Sequence, residues 1–298
     1  MGHDHGAVNH NRAFAVGVSL NLAFVIVEAV FGVRAHSLAL VADAGHNFSD
    51  VLGLLLAWGA AILGARGPSP RRTYGLRRAS ILAALGNALL LLIAVGGIAW
   101  EAYRRLRQPE AVMSGIVIGV ALVGIGINTA TALLFLRGRK QDINIRGAFL
   151  HMAADAAVSA GVVLAALAMR STGWLWLDPA VGLGIALIIT IGTWGLLRDA
   201  VNLALDAVPE GIEPDAVQTY LTGLPGVVAV HDLHIWGMST THVALTAHLV
   251  KPDVTNEDQM LAGAYRDLHD RFGIEHVTLQ IERDERTANC AQAPVNVV

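Results

Sequence analysis

Four side chains stand out as able to do chemistry together. His46 and Asp50 occur in ADAGHNFSD and His151 and Asp155 in HMAAD, each pair spaced i, i+4 within an otherwise apolar stretch. On an α-helix that spacing stacks two side chains on one face, about 6 Å apart along the axis. Two such helices facing each other offer two imidazole nitrogens and two carboxylate oxygens, a set that suits zinc in a tetrahedron. One His–Asp pair alone serves equally well as an interhelical hydrogen bond or a buried ion pair. Two copies on two apolar helices favour a shared metal site. Asp43 lies three residues before His46 and falls on nearly the same face; it suits either a supporting acceptor or proton relay, or a helix N-cap.

The chain that must position these residues has 298 residues, 54% of them hydrophobic, with 31 glycines in addition and only 15% charged. Soluble proteins average about 45–50% apolar with glycine included and about 25% charged, so a soluble globule is excluded. A formal net charge of −3 argues against disorder and against a nucleic-acid binder. The single cysteine excludes a disulfide framework or a Cys-rich zinc module. What remains is a polytopic membrane protein. Apolar runs of the length that a ~30 Å hydrocarbon core requires lie near 13–33, 37–64, 79–101, 111–136, 145–169 and 174–198. Spans three and four carry no interior charge, only Asn87 and Asn128; span one carries Glu28 and span six Asp178. The N-terminus does not read as a removable signal peptide.

Six spans place both termini on one side. The loops on that side, with the N-terminal segment and Arg198, hold eleven Lys and Arg residues against five opposite, so the positive-inside bias puts both termini in the cytoplasm. Residues 1–208 carry net +5 and residues 209–298 net −8, as expected of a membrane part followed by an acidic soluble tail. After Pro209 the pattern changes to a short helix at 213–223, strands at 227–236 and 241–250, a helix at 256–272 and a strand at 275–282. The expected organisation is a cytoplasmic His-containing segment at 1–12, a six-helix transmembrane domain at 13–208, a small α+β domain of order α-β-β-α-β at 209–284, and a flexible tail at 285–298. The fold class is thus an α-helical membrane protein of six transmembrane helices followed by a small α+β cytoplasmic domain. A domain of that size is marginal alone, which makes dimerisation through it a natural expectation.

Five segments together carry a resemblance to a known family: LVADAGHNFSD in span two, TYGLRRASILAALGNALLLL entering span three, EAYRRL at 101–106, HMAADAAVS in span five and VHDLHIW in the tail. The chain resembles the cation diffusion facilitator family over nearly its whole length, and most closely its bacterial zinc-efflux members. The resemblance implies a homodimeric divalent-cation/proton antiporter of the inner membrane, with a six-span transport domain and a metallochaperone-like cytoplasmic domain, a secondary transporter and not an enzyme, with zinc as substrate and protons as counter-ion. The family's transport ligands match His46, Asp50, His151 and Asp155. Members in which Asp replaces the first of these histidines tend to accept cadmium as well. In some relatives the positions matching His231, His248, His276 and Glu282 form a cytoplasmic regulatory zinc site, to which a Cys near the C-terminus, here Cys290, can add. His3 and His5 are candidate donors from a partner subunit. Against this, a histidine on a half-exposed strand is most often an ordinary surface residue.

The sequence departs from the family pattern in two places. The loop RGPSPRRTYGLRR between spans two and three has no Asp, Glu or His, so the second metal site that some relatives carry there is not expected. Ser80 stands where many members have Glu. Other readings are a transporter of cadmium, cobalt or iron, or a membrane-bound sensor without flux. Nitrogen donors argue against manganese and magnesium. A membrane metalloprotease would need an open zinc position and a base, usually in HExxH, and HExxH does not occur.

Overall fold

A computed structural model describes residues 10–136 and 143–283, with side chains from residue 22 onward except those of 54, 57, 61, 134–135 and 143–148. Six long helices come first: α1 (His10–Arg34), α2 (Leu38–Gly64), α3 (Ala79–Arg107), α4 (Ser114–Phe135), α5 (Ile143–Thr172) and α6 (Leu177–Ala204). Among the described residues, α2 to α6 each contain a stretch long and apolar enough to cross a membrane. Large apolar side chains point outward along them: Ile93, Trp100, Leu164, Ile191 and Trp194 are each more than 60% exposed. Such a surface is costly in water and natural against lipid. α3 and α6 run on to Arg107 and Ala204, past the apolar segments read from sequence, because EAYRRLR and RDAVNLA continue good helix formers into polar surroundings.

Chain contacts divide the molecule into two compact units, Met1–Leu55 with Gly86–Gly195 and Leu56–Leu85 with Leu196–Val298. The first is held together by small and branched residues that let helices approach closely: Ala35, Ala39 and Ala42 of α2 and its entry, Val95, Ile98 and Ala102 of α3, Val117 and Ala121 of α4, Val162 and Ala166 of α5, and Ile185, Ala186 and Ile189 of α6. Among the glycines of the long helices, Gly32, Gly53, Gly124 and Gly182 have a packing reason: a Cβ on Gly32 would stand 3.0 Å from Val41 and one on Gly53 3.2 Å from Asn87. A Cβ on Gly124 would stand 2.7 Å from the Phe24 ring, and one on Gly182 3.2 Å from Leu38, while Gly115, Gly119, Gly126 and Gly184 have nothing within 4 Å of that position.

Asp178, in the first turn of α6, fixes the start of α2. Its carboxylate accepts hydrogen bonds from Ser37 Oγ at 2.6 Å, Leu38 N at 2.6 Å and Ala39 N at 3.3 Å, and is fully buried. It thereby satisfies backbone donors that a helix N-terminus leaves without partners, and its negative charge meets the positive end of the helix dipole. The helix that carries His46 and Asp50 is thus anchored at one end.

In the second unit the small domain has helices α7 (Pro214–Thr222) and α8 (Glu257–Phe272) and strands β1 (Ala229–Gly237), β2 (Val243–Val250) and β3 (His276–Glu282), each within two residues of the range read from sequence. The sheet order is β1-β2-β3, with β1 antiparallel and β3 parallel to β2. The α8 crossover between β2 and β3 makes the parallel pairing possible; Gly273, at φ +68°, ends α8 and sends its N–H back to His269 O. Val217 and Leu221 of α7, Leu245, Ala247 and Leu249 of β2, and Met260 and Leu268 of α8 form its core. Leu268 is fully buried there. Its replacement by alanine is expected to destabilise the domain by about 2–5 kcal/mol, read in the full chain as faster hydrogen exchange at the β2 amides.

The same unit holds the 65–78 loop. Ser80 Oγ accepts a hydrogen bond from Thr240 N at 3.1 Å, and Arg78 pairs with Asp206. The serine at this departure from the family pattern therefore acts as a neutral acceptor for the turn between β1 and β2.

Candidate metal centres

The helical spacing brings His46 and Asp50 to one face of α2 and His151 and Asp155 to one face of α5, and the packing turns these faces toward each other. His46 Nε2 lies 3.5 Å from Asp155 Oδ1, His151 Nε2 3.7 Å from Asp155 Oδ2, and His151 Nε2 3.2 Å from Asp50 Oδ2. The imidazole rings meet edge to face with centroids 6.1 Å apart. Asp155 is the centre of this arrangement: it is 1% exposed, and each of its oxygens faces a different histidine. In a tetrahedral site with bonds of about 2.0–2.1 Å, neighbouring donor atoms stand about 3.3 Å apart, close to the separations seen. The contacts run as a chain from His46 through Asp155 and His151 to Asp50.

Among the described residues, His231, His248 and Glu282 are the group whose three donor atoms lie within 4.8 Å of one another. The register pairs His231 of β1 directly with His248 of β2, and sets Glu282 of β3 beside Val250, two residues further along β2. All three side chains therefore rise from one face of the sheet. Glu282 Oε2 is 3.0 Å from His231 Nε2 and Glu282 Oε1 2.9 Å from His248 Nδ1, with the rings edge to face at 5.2 Å. Two imidazoles and a carboxylate are a donor set that suits zinc.

His276 does not join this cluster. It sits at the opposite end of β3 from Glu282, paired with Ala244, and six residues of strand put about 20 Å between the two. Its ring instead meets Tyr74 edge-on at 5.3 Å. The other tail histidines have local partners: His242 with Ser239 and Thr241, His269 with Asp270. His3, His5 and Cys290 lie outside the described residues.

Asp232 is the neighbour that sequence reading missed. Strict alternation would turn it away from His231, but the register slips between His231 and His234, and Asp232 takes a left-handed φ of +52°. This β-bulge brings its carboxylate to 2.8 Å from His234 Nε2 and 3.5 Å from His248 Nε2. The signal available was the adjacent pair of polar residues in VHDLHIW, which a two-residue period does not accommodate.

Comparison with known proteins agrees with this architecture. Residues 14–203 match the cation efflux transmembrane domain, and residues 209–284 match the cytoplasmic domain of cation efflux proteins. The metal cation efflux system protein CzcD of Cupriavidus metallidurans is 37% identical over 292 residues, covering 98% of this chain and 91% of that protein. A cadmium, cobalt and zinc/H(+)-K(+) antiporter of Bacillus subtilis is 30% identical, covering 95% and 93%. The zinc transporter ZitB of Escherichia coli is 33% identical, covering 92% and 88%. A solved metal-bound C-terminal domain of the CzcD transporter aligns with 24% of this chain and 99% of its own length, at 33% identity and a TM-score of 0.23.

Proposed function

The chain belongs to the cation efflux family, membrane transporters of metal cations and not enzymes, and we propose that it exports zinc from the cytoplasm in exchange for protons through His46, Asp50, His151 and Asp155. The observation that supports this is the central position of Asp155, whose two oxygens face His46 of α2 and His151 of α5 while His151 also faces Asp50, so that side chains of both helices meet at one buried carboxylate. Two nitrogen and two oxygen donors suit zinc better than manganese or magnesium, which prefer oxygen alone.

Proton coupling follows from the ligands. Zinc binds neutral imidazole and ionised carboxylate, so protons and metal compete for the same atoms. Zinc entering from the cytoplasm displaces protons from the histidines and aspartates. When the helices rock to open the site outward, protons from outside take those atoms back and zinc leaves. Domains of 13–208 and 209–284 then divide the work, the first moving metal across the inner membrane, both termini lying in the cytoplasm. The second joins two chains into a homodimer. His231, His248 and Glu282 read cytoplasmic zinc, and an ion held there shifts the transporter between conformations to the extent that its affinity differs between them.

Zinc uptake into proteoliposomes that are acid inside tests the coupling. Uptake is expected to rise with the imposed pH difference when the membrane potential is clamped at zero; uptake indifferent to that difference would refute antiport. The tail site is tested separately by equilibrium zinc counting on the full chain. Glu282→Ala is expected to lose one tightly bound zinc per chain, with affinity there falling about 100-fold or more, since even changes to groups that only support a ligand cost 10–100-fold. An unchanged count would remove Glu282 from the site.

A further inference from the structure

A set of polar side chains apart from the His–Asp ligands is sealed inside the first unit. Glu28 of α1, Asp43 and Asn47 of α2 and Ser159 of α5 are each no more than 1% exposed. Asn47 Nδ2 donates to Glu28 Oε2 at 3.1 Å, and Ser159 Oγ donates to Asp43 Oδ2 at 3.1 Å. The carboxyl groups of Glu28 and Asp43 lie within hydrogen-bonding reach of each other. Each also keeps one oxygen, Glu28 Oε1 and Asp43 Oδ1, without a protein donor. The titratable groups that face the pair are His46, on α2 itself, and Asp155 of α5; α4, which packs against α1, has no ionisable side chain.

Ionised carboxylates only accept hydrogen bonds, so two of them bond to each other only when one carries a proton. Burying two adjacent negative charges with no cation beside them is also far more costly than burying one. Asn47 and Ser159 each supply a donor to one oxygen of one carboxyl, which leaves the second oxygen of each available to a shared proton. Asp43 stands three residues, about 4.5 Å of helix rise, from His46.

We propose that Glu28 and Asp43 hold one proton between them, as a binding site separate from the metal ligands, and release it when metal occupies His46, Asp50, His151 and Asp155. This rests on the assignment of those four residues as the transport site. The doubly charged ion adds positive charge about one helical turn away, which favours the fully ionised pair, and the proton leaves to water as H⁺. The coupling is reciprocal: a proton returning to the pair weakens the hold on the metal by the same factor. Protons can therefore expel zinc without first reaching a zinc ligand.

The test is zinc affinity of the full chain in detergent, by competition with a chelator between about pH 6 and 8, the range in which histidine ligands titrate. His248→Ala is present in every arm to silence the tail. The slope of log affinity against pH counts protons released per metal bound. Glu28→Gln keeps the size and hydrogen bonding of the side chain but cannot ionise, and is expected to lower that slope by about one, a tenfold weaker response per pH unit. Asp43→Asn is expected to do the same. Equal slopes with zinc binding retained would overturn the proposal, as would loss of zinc binding in both variants, which would make the pair purely structural. Undiminished binding in Asp155→Ala would instead overturn the transport-site assignment.

Discussion

Zinc flux into proteoliposomes is expected to fall to the protein-free background when Asp155 is replaced by alanine. Asp155 is buried at the meeting of α2 and α5, and its two oxygens face His46 and His151. Its loss removes one of the four proposed ligands and, among the described residues, the only carboxylate that faces both histidines. Support groups around a metal alone move affinity 10–100-fold, so loss of this ligand should cost at least about 100-fold in transport. Asp50→Ala should also fail, for a different reason. Asp50 reaches only His151, at 3.2 Å, and is about one-third exposed, so that variant loses the end of the chain of contacts and keeps a His46–Asp155–His151 remnant. Zinc binding measured beside flux separates the two cases: weakened but detectable for Asp50→Ala, absent from the membrane site for Asp155→Ala. Wild-type flux in either variant would place the transported ion elsewhere.

The second large effect is expected in selectivity. His46→Asp should keep zinc transport and raise the cadmium-to-zinc flux ratio by about tenfold or more, on the scale of single-group changes around metals. His46 contributes one nitrogen at a fixed distance from a stiff ring, and makes its contact through Nε2 to Asp155 Oδ1. A carboxylate in its place is shorter and binds through one oxygen or two. It therefore tolerates larger ions and higher coordination numbers, where the two imidazoles favour a compact tetrahedron. Competition of cadmium against zinc uptake in the same vesicles measures this, and an unchanged ratio would show that the imidazole is not the filter.

Both expectations depend on facts of different origin. That His46 and Asp50 share a face, and His151 and Asp155 another, is a property of helix pitch and needed no tertiary information. The same holds for the strand character of 229–237, 243–250 and 276–282, since alternation of apolar residues is a local signal. His276 shows where such reading stops. Resemblance alone groups it with Glu282, but the two stand at opposite ends of one strand, and no register of that strand in one chain brings them together. Asp232 shows the converse: its approach to His234 and His248 depends on a bulge, a slip in pairing that alternation cannot announce.

The sequence by itself determined the membrane class, the order of helices and strands, and two His–Asp pairs on two helices, because composition and periodicity are written in neighbouring residues. Only the tertiary structure decided that Asp155 bridges both histidines, that Asp178 of α6 caps the helix carrying His46, and that Glu28 meets Asp43. Apart from His151 with Asp155 on one helix, these contacts join residues separated by 15 to 140 positions, and they depend on how each helix is rotated and set in depth against the next. That is fixed by which small and branched side chains interlock at the helix interfaces, a condition on the whole bundle that no local spacing records.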